Sequence, residues 1–139
     1  MKKILLPIDG SAGCQKALDL AEDMAKKFDS TITVFNVYYY LNTQTADGFV
    51  VEENKVRNVD VNREIANKTA EYFKSRGVKA DAKVVTGDPA MDIIDEAEKG
   101  SYDLVIMCTH GMSANRRFLL GSVTNKVVHH IKVPVLVVR

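Results

Sequence analysis

Short unbroken apolar runs alternate along this chain with segments whose apolar residues recur every three or four positions, and few architectures accept that alternation. The runs are Ile4-Leu5-Leu6 with Ile8, then Ile32, Val34, Phe35 and Val37, then Val78 to Thr86, Leu104-Val105-Ile106-Met107, and Pro134-Val135-Leu136-Val137-Val138. Lacking polar alternation, the first and fourth suit strands covered on both faces. Between the first two runs, Ser11 is placed as an N-cap before Cys14, Ala17, Leu18, Ala21, Met24, Ala25 and Phe28, one apolar stripe of a helix. Val61, Ile65, Tyr72 and Phe73 mark a second helix, which Gly77 closes as a left-handed cap.

In Gly87-Asp88-Pro89, Asp88 caps a third helix and Pro89 starts it, since a missing N–H is harmless in the first turn. Its Ile93, Ile94 and Ala97 face inward, and Gly100 ends it. Ser122 is expected to cap a fourth helix, with Val123, Val127, Val128 and Ile131 on one side. The order β-α-β-α-β-α-β-α-β leaves connections long enough for right-handed crossovers between parallel strands. The expectation is one doubly wound α/β domain over residues 1–139, an open sheet of five parallel strands with helices on both faces. Residues 38–56 are mixed and polar and fit neither period, so they are expected to form a lid or a mobile excursion.

Composition sets the class of partner. The 139 residues are one domain's worth, and 46% hydrophobic with 27% charged content is that of a soluble globular protein. With 19 Lys+Arg against 18 Asp+Glu the net charge is +1, which excludes a nucleic-acid binder held by bulk charge and an acidic disordered tail. No apolar run approaches the roughly 18 residues of a membrane span, and the stretch before Pro7 is too short for a signal peptide. No membrane partner is expected, and the cytoplasm is the expected location. There Cys14 and Cys108, the 2 cysteines, are not expected to form a disulfide framework. The charges are unevenly spread: residues 104–139 carry Arg116, Arg117, Lys126, Lys132 and Arg139 and no Asp or Glu. Apolar strand residues interrupt them too often for a nucleic-acid stripe, so the functional reading is a local field for a small anion.

Doubly wound sheets bind ligands beyond the carboxyl ends of their strands, where strand order reverses. That rule nominates Pro7, Ile8, Asp9 and Gly10 after the first strand, Val37 and Tyr38 after the second, and Met107 to Ser122 after the fourth. In the last segment Gly111 and Gly121 let backbone approach a bulky anion or take positive φ. Gly121-Ser122 opens a helix whose unpaired N–H groups and positive end attract phosphate, with a hydroxyl from Ser122 and charge from Arg116 or Arg117 in support. Ser122 as a plain N-cap and the arginines as a solvated face are equally compatible with the spacing.

At these residues the chain resembles the nucleotide-binding kind of universal stress protein. Three stretches carry the resemblance, which spans essentially the whole chain: Lys3-Ile4-Leu5-Leu6-Pro7-Ile8-Asp9-Gly10-Ser11, Gly87-Asp88-Pro89, and Thr109-His110-Gly111 through Gly121-Ser122-Val123 to Pro134-Val135-Leu136-Val137-Val138. The family signature is Gly-x2-Gly-x9-Gly followed by Ser or Thr. Gly111, Gly121 and Ser122 fit it, whereas Cys108 takes the place of the first glycine. At positive φ such a residue costs on the order of 1–2 kcal/mol, and at negative φ a small Cys fits beside the ribose with little loss.

The resemblance implies the strand order 3-2-1-4-5 and an ATP site. Asp9 would hydrogen-bond the ribose or adenine edge, with Pro7, Ile8 and Val37 lining the adenine and Met107 and Cys108 near the sugar. Gly111, Gly121, Ser122 and Val123 would hold the phosphates, on which a Mg or Mn ion could ride. It also implies a homodimer joined through the fifth strands, Val135 to Val138, an apolar edge of the kind that invites pairing.

Other chemistry has weaker footing. Cys108 and His110 lack a third partner for nucleophilic or metal work, His129 and His130 suit a helix C-terminus, Cys14 falls on an apolar stripe, and Tyr38-Tyr39-Tyr40 fit a strand running into a loop. A phosphoacceptor receiver would need an acidic neighbour for Asp9, and a P-loop would need a Gly-Lys-Ser/Thr triplet. The expected function is an ATP-binding stress-response or regulatory protein, a small dimeric nucleotide-dependent switch. With no evident general base, slow ATP hydrolysis is the most that is expected. The alternative is a non-nucleotide interaction module of the same fold.

Overall fold

The computed structural model describes residues 1–10, 14–38, 50–109 and 120–139. Its elements are β1 (Lys3–Pro7), α1 (Gln15–Phe28), β2 (Thr31–Tyr38), α2 (Val50–Ser75), β3 (Lys79–Thr86), α3 (Pro89–Lys99), β4 (Leu104–Cys108), α4 (Ser122–His130) and β5 (Val135–Val138). The strands form one sheet in the order β3-β2-β1-β4-β5, and all four pairings are parallel. β1 is central, in register with β2 through Lys3–Thr31 and with β4 through Ile4–Leu104. Direction reverses between β1 and β4: the chain winds outward to β3 on one side, then returns to build β4 and β5 on the other.

Strand pleating sends alternate residues to opposite faces, and two clusters result. Ile4, Leu6, Ile32, Val34, Leu104 and Ile106 meet Ala17, Ala21 and Ala25 of α1 and Ala66, Ala70 and Phe73 of α2. Leu5, Phe35, Val105 and Met107 meet Ala90, Ile93 and Ala97 of α3 and Val127 of α4. Small alanines on α1 let it lie close to the strands. Exposed Phe28, Val61 and Val128 show where the sequence stripe was drawn too wide.

Helix ends follow local chemistry. Gly77 has φ 84, with the Gly77 N–H bonded to the Lys74 carbonyl and the Val78 N–H to the Phe73 carbonyl, the paired bonds of a glycine-terminated helix. The Asp88 carboxylate accepts from the Met91 N–H at 3.0 Å, ahead of Pro89 in the first turn. Three expectations need correction. Residues 50–56 are not part of a loop: α2 begins at Val50, while 39–49 lie outside the described residues. Ser122 is the first helical residue and Gly121 the cap, with no side-chain cap bond, because the extended backbone of Gly121 (φ −56, ψ 153) already delivers the chain into the helix. Cys14 occupies the cap position of α1, and Ser11 is outside the described residues.

Candidate functional site

At the carboxyl end of the sheet, where β1 and β4 part, lies a cavity of about 300 Å³. That is the lower end of the range for small-ligand sites. Its walls come from elements far apart in sequence. Pro7, Ile8 and Asp9 continue from β1, Val37 stands near the end of β2, and Met107 and Cys108 end β4. Gly121, Ser122 and Val123 supply the opening turn of α4. Pro7, Ile8, Asp9, Val37, Met107, Cys108, Gly121, Ser122 and Val123 of the expected site thus border one cavity, whereas Gly10 and Tyr38 are not among its lining and Gly111, Arg116 and Arg117 are outside the described residues.

The phosphate-like end can be built from main chain alone. The first described helical bond of α4 runs from the Asn125 N–H to the Gly121 carbonyl, so the N–H groups of Ser122, Val123 and Thr124 come ahead of it at the positive helix terminus. The Gly121 N–H donates to the Thr109 carbonyl at 2.6 Å, which fixes where the helix starts. The Thr124 hydroxyl donates to the Cys108 carbonyl at 2.8 Å and ties the same turn to the end of β4. Gly121 has negative φ, so its positive-φ role in the sequence reading does not apply; its small size beside the cavity remains. Gly10, at φ 80, is the residue there that needs glycine's freedom, turning the chain out of β1.

The backbone at Cys108 is not left-handed. The non-glycine residues with positive φ among those described are Asp29 and Ser101, so Cys108 carries no left-handed penalty. Its partner was not foreseen. Cys14 and Cys108 are paired as a disulfide with Cα atoms 5.9 Å apart, which corrects the expectation that no disulfide framework forms. Nothing in sequence spacing brings them together; the fold does, by seating the start of α1 beside the end of β4. Cys14, Pro89, Ile93 and Thr124 complete the cavity wall without having been nominated. The usable signal was Gly87-Asp88-Pro89, since a helix starting at a strand's carboxyl end reaches the ligand side of the sheet.

Among the described residues no group of three or more His, Cys, Asp or Glu side chains could hold a metal ion. His129 and His130 are exposed in the last turn of α4. No described helix is long and apolar enough to cross a membrane.

A parallel sheet in this order, with a cavity over its reversal point and a helix terminus beside it, defines a doubly wound α/β protein whose ligand side lies at the carboxyl ends of its strands. A family model for the Universal stress protein family matches residues 1–139, and the chain belongs to that family. It is 32% identical over 146 residues to universal stress protein YxiE of Bacillus subtilis, covering 99% of this chain and 98% of that one. It is 32% identical over 141 residues to universal stress protein MJ0531 of Methanocaldococcus jannaschii, covering 99% and 82%. Among solved structures, the protein MJ0577 superimposes with a TM-score of 0.84 at 27% identity, over 99% of this chain and 94% of that one. Two more distant structures share the fold and hold nucleotides. They are a universal stress protein in complex with cAMP (TM-score 0.72, 22% identity, 99% and 96% covered) and one from Archaeoglobus fulgidus in complex with dAMP (0.66, 18%, 100% and 98%).

Proposed function

We propose that residues 1–139 act as one ATP-binding stress-response domain, a small switch whose state reports nucleotide. The observation that carries this reading is the cavity at the β1–β4 parting, walled by apolar strand ends on one side and by the opening turn of α4 on the other. A base and sugar suit the first wall, formed by Pro7, Ile8, Val37 and Met107, with the Asp9 carboxylate at the edge to accept from hydroxyl or amine donors. Phosphates suit the second, where the Ser122, Val123 and Thr124 N–H groups and the Ser122 hydroxyl stand at a helix N-terminus. Gly121 leaves room beside them, and Gly111 contributes a further approach by family resemblance. A divalent Mg or Mn ion rides on the phosphates and needs no protein cage. That proteins of the same fold are found in complex with cAMP and dAMP supports a nucleotide ligand.

The protein works as a homodimer in the cytoplasm. β5 stands at the edge of the sheet, and its Val135 to Val138 are only half-buried, so a second copy of the same strand would cover them. The described cavity wall offers one carboxylate, Asp9, at the base-and-sugar end and none beside α4, so hydrolysis is slow at most.

Thermal unfolding with and without ATP tests the reading. At 100 times its Kd a ligand stabilises the native state by about 2.7 kcal/mol, so saturating ATP with Mg raises Tm by several degrees. An unchanged Tm up to millimolar ATP would leave the alternative, an interaction module of the same fold that binds no nucleotide.

A further inference from the structure

We propose that Cys14 and Cys108 form a reversible redox modification site that sets how tightly the cavity holds its ligand. The two residues are separated by 94 positions, yet their Cα atoms stand 5.9 Å apart, within the span of a disulfide. Both line the cavity, Cys14 at the cap of α1 and half-buried Cys108 at the end of β4. Small oxidants and reductants therefore reach Cys108, the more exposed of the two, by the route the ligand takes, while Cys14 is buried beside it. Structural cysteines sealed in a core are inert by comparison, and in a reducing compartment paired cysteines are mostly transient sensors.

Cys108 is a junction. Its carbonyl accepts the Thr124 hydroxyl at 2.8 Å, so its main chain is already fastened to the turn of α4 proposed to hold phosphate. A bond from its sulfur to Cys14 fastens the start of α1 to the same point. Oxidised, a disulfide braces α1 to the end of β4 while a hydrogen bond ties α4 to the same point, and a site held in its binding shape loses less entropy on binding. Reduced, α1 and β4 lose that covalent link. The oxidant is a hydroperoxide. The Cys108 thiolate attacks the terminal peroxide oxygen, the O–O bond breaks, and the other oxygen takes up a proton and departs as water from hydrogen peroxide or as the alcohol from an organic hydroperoxide. The Cys14 thiol then attacks the sulfenic sulfur, releases the second oxygen as water, and the S–S bond forms. A dithiol reductant returns both thiols by exchange and is itself oxidised to a disulfide.

The effect on affinity rests on the ATP reading above; the pairing does not. The test uses the full chain treated with hydrogen peroxide, then with dithiothreitol, beside Cys14→Ser. Peroxide is expected to remove both titratable thiols with the mass loss of two hydrogens and no intermolecular disulfide. It should raise Tm by roughly 10 °C, because a link across so long a loop restricts the unfolded chain strongly. Dithiothreitol reverses both, and Cys14→Ser shows neither. By calorimetry ATP binds the oxidised form about threefold or more tighter than the reduced form, with Cys14→Ser matching the reduced value under either treatment. Two free thiols after peroxide, alongside normal ATP binding, would overturn the redox site and leave the ATP reading standing. Thiol pairing with no ATP binding in either state would overturn the ATP reading and the gating together. Equal affinity in the two states, or tighter binding when reduced, would overturn the gating alone.

Discussion

The two ends of the sheet treat polar groups in opposite ways. Where strands begin, side chains and main chain satisfy one another: Asp103 accepts from the Lys2 and Lys3 N–H groups at 2.7 and 3.0 Å. The Lys3 ammonium donates to the Gly100 carbonyl at 2.6 Å and sits 4.4 Å from the centre of the Tyr102 ring. The Tyr102 hydroxyl donates to Glu96, and burial above all pushes its pKa up to about 12. Where strands end, the cavity is bordered by main-chain donors at a helix terminus and by apolar strand ends. One end is closed upon itself and the other is left ready for a guest. Stability and binding should therefore be separable by mutation.

The largest separation is expected from Gly121→Val. The extended backbone there suits valine, so the fold persists, while the added side chain stands on the cavity wall. Tm without nucleotide should move little, and the ATP-induced stabilisation of about 2.7 kcal/mol at 100 times Kd should vanish; retained binding would mean that the phosphates lie elsewhere. Asp88→Ala comes next. It removes the cap bond to the Met91 N–H at the start of the helix that brings Pro89 and Ile93 to the cavity, costing about 1 kcal/mol. Denaturant unfolding and ATP titration should both register it.

The smallest effect belongs to the closed end. Bonds from the Lys2 and then the Lys3 N–H hold the Asp103 carboxyl below its usual range, against a smaller upward pull from desolvation. A depressed folded-state value means that this stabilisation is complete above the ordinary carboxylate range and is lost as pH falls through the folded value. Asp103→Asn should flatten the acid side of the Tm-against-pH curve and leave the ATP shift unchanged. A changed ATP shift would show that the two ends communicate.

The strands were legible because a sheet covered on both faces writes itself as unbroken apolar runs, and Ile4 to Leu6 and Leu104 to Met107 could be little else. The start of α2 was not, since Val50-Val51-Glu52-Glu53-Asn54-Lys55-Val56-Arg57 has no clear apolar stripe for a period to reveal. The boundary between Gly121 and Ser122 turned on one residue, the usual resolution of helix ends. In the cavity, the residues directly beyond β1, β2 and β4 followed from topology alone. Pro89, Ile93 and Thr124 required knowing how α3 and α4 lean across the sheet, and the Cys14–Cys108 pair required the third dimension outright.

Because β1 sits in the middle, the first strand of this sheet waits for the fourth before both its edges are paired. The β1-β2-β3 half with α1 and α2 can assemble early, yet the parting where a guest would lodge has only one bank until β4 and α4 arrive. A chain shortened before β4 and α4 would therefore keep half of its sheet and lack the second bank of the cavity.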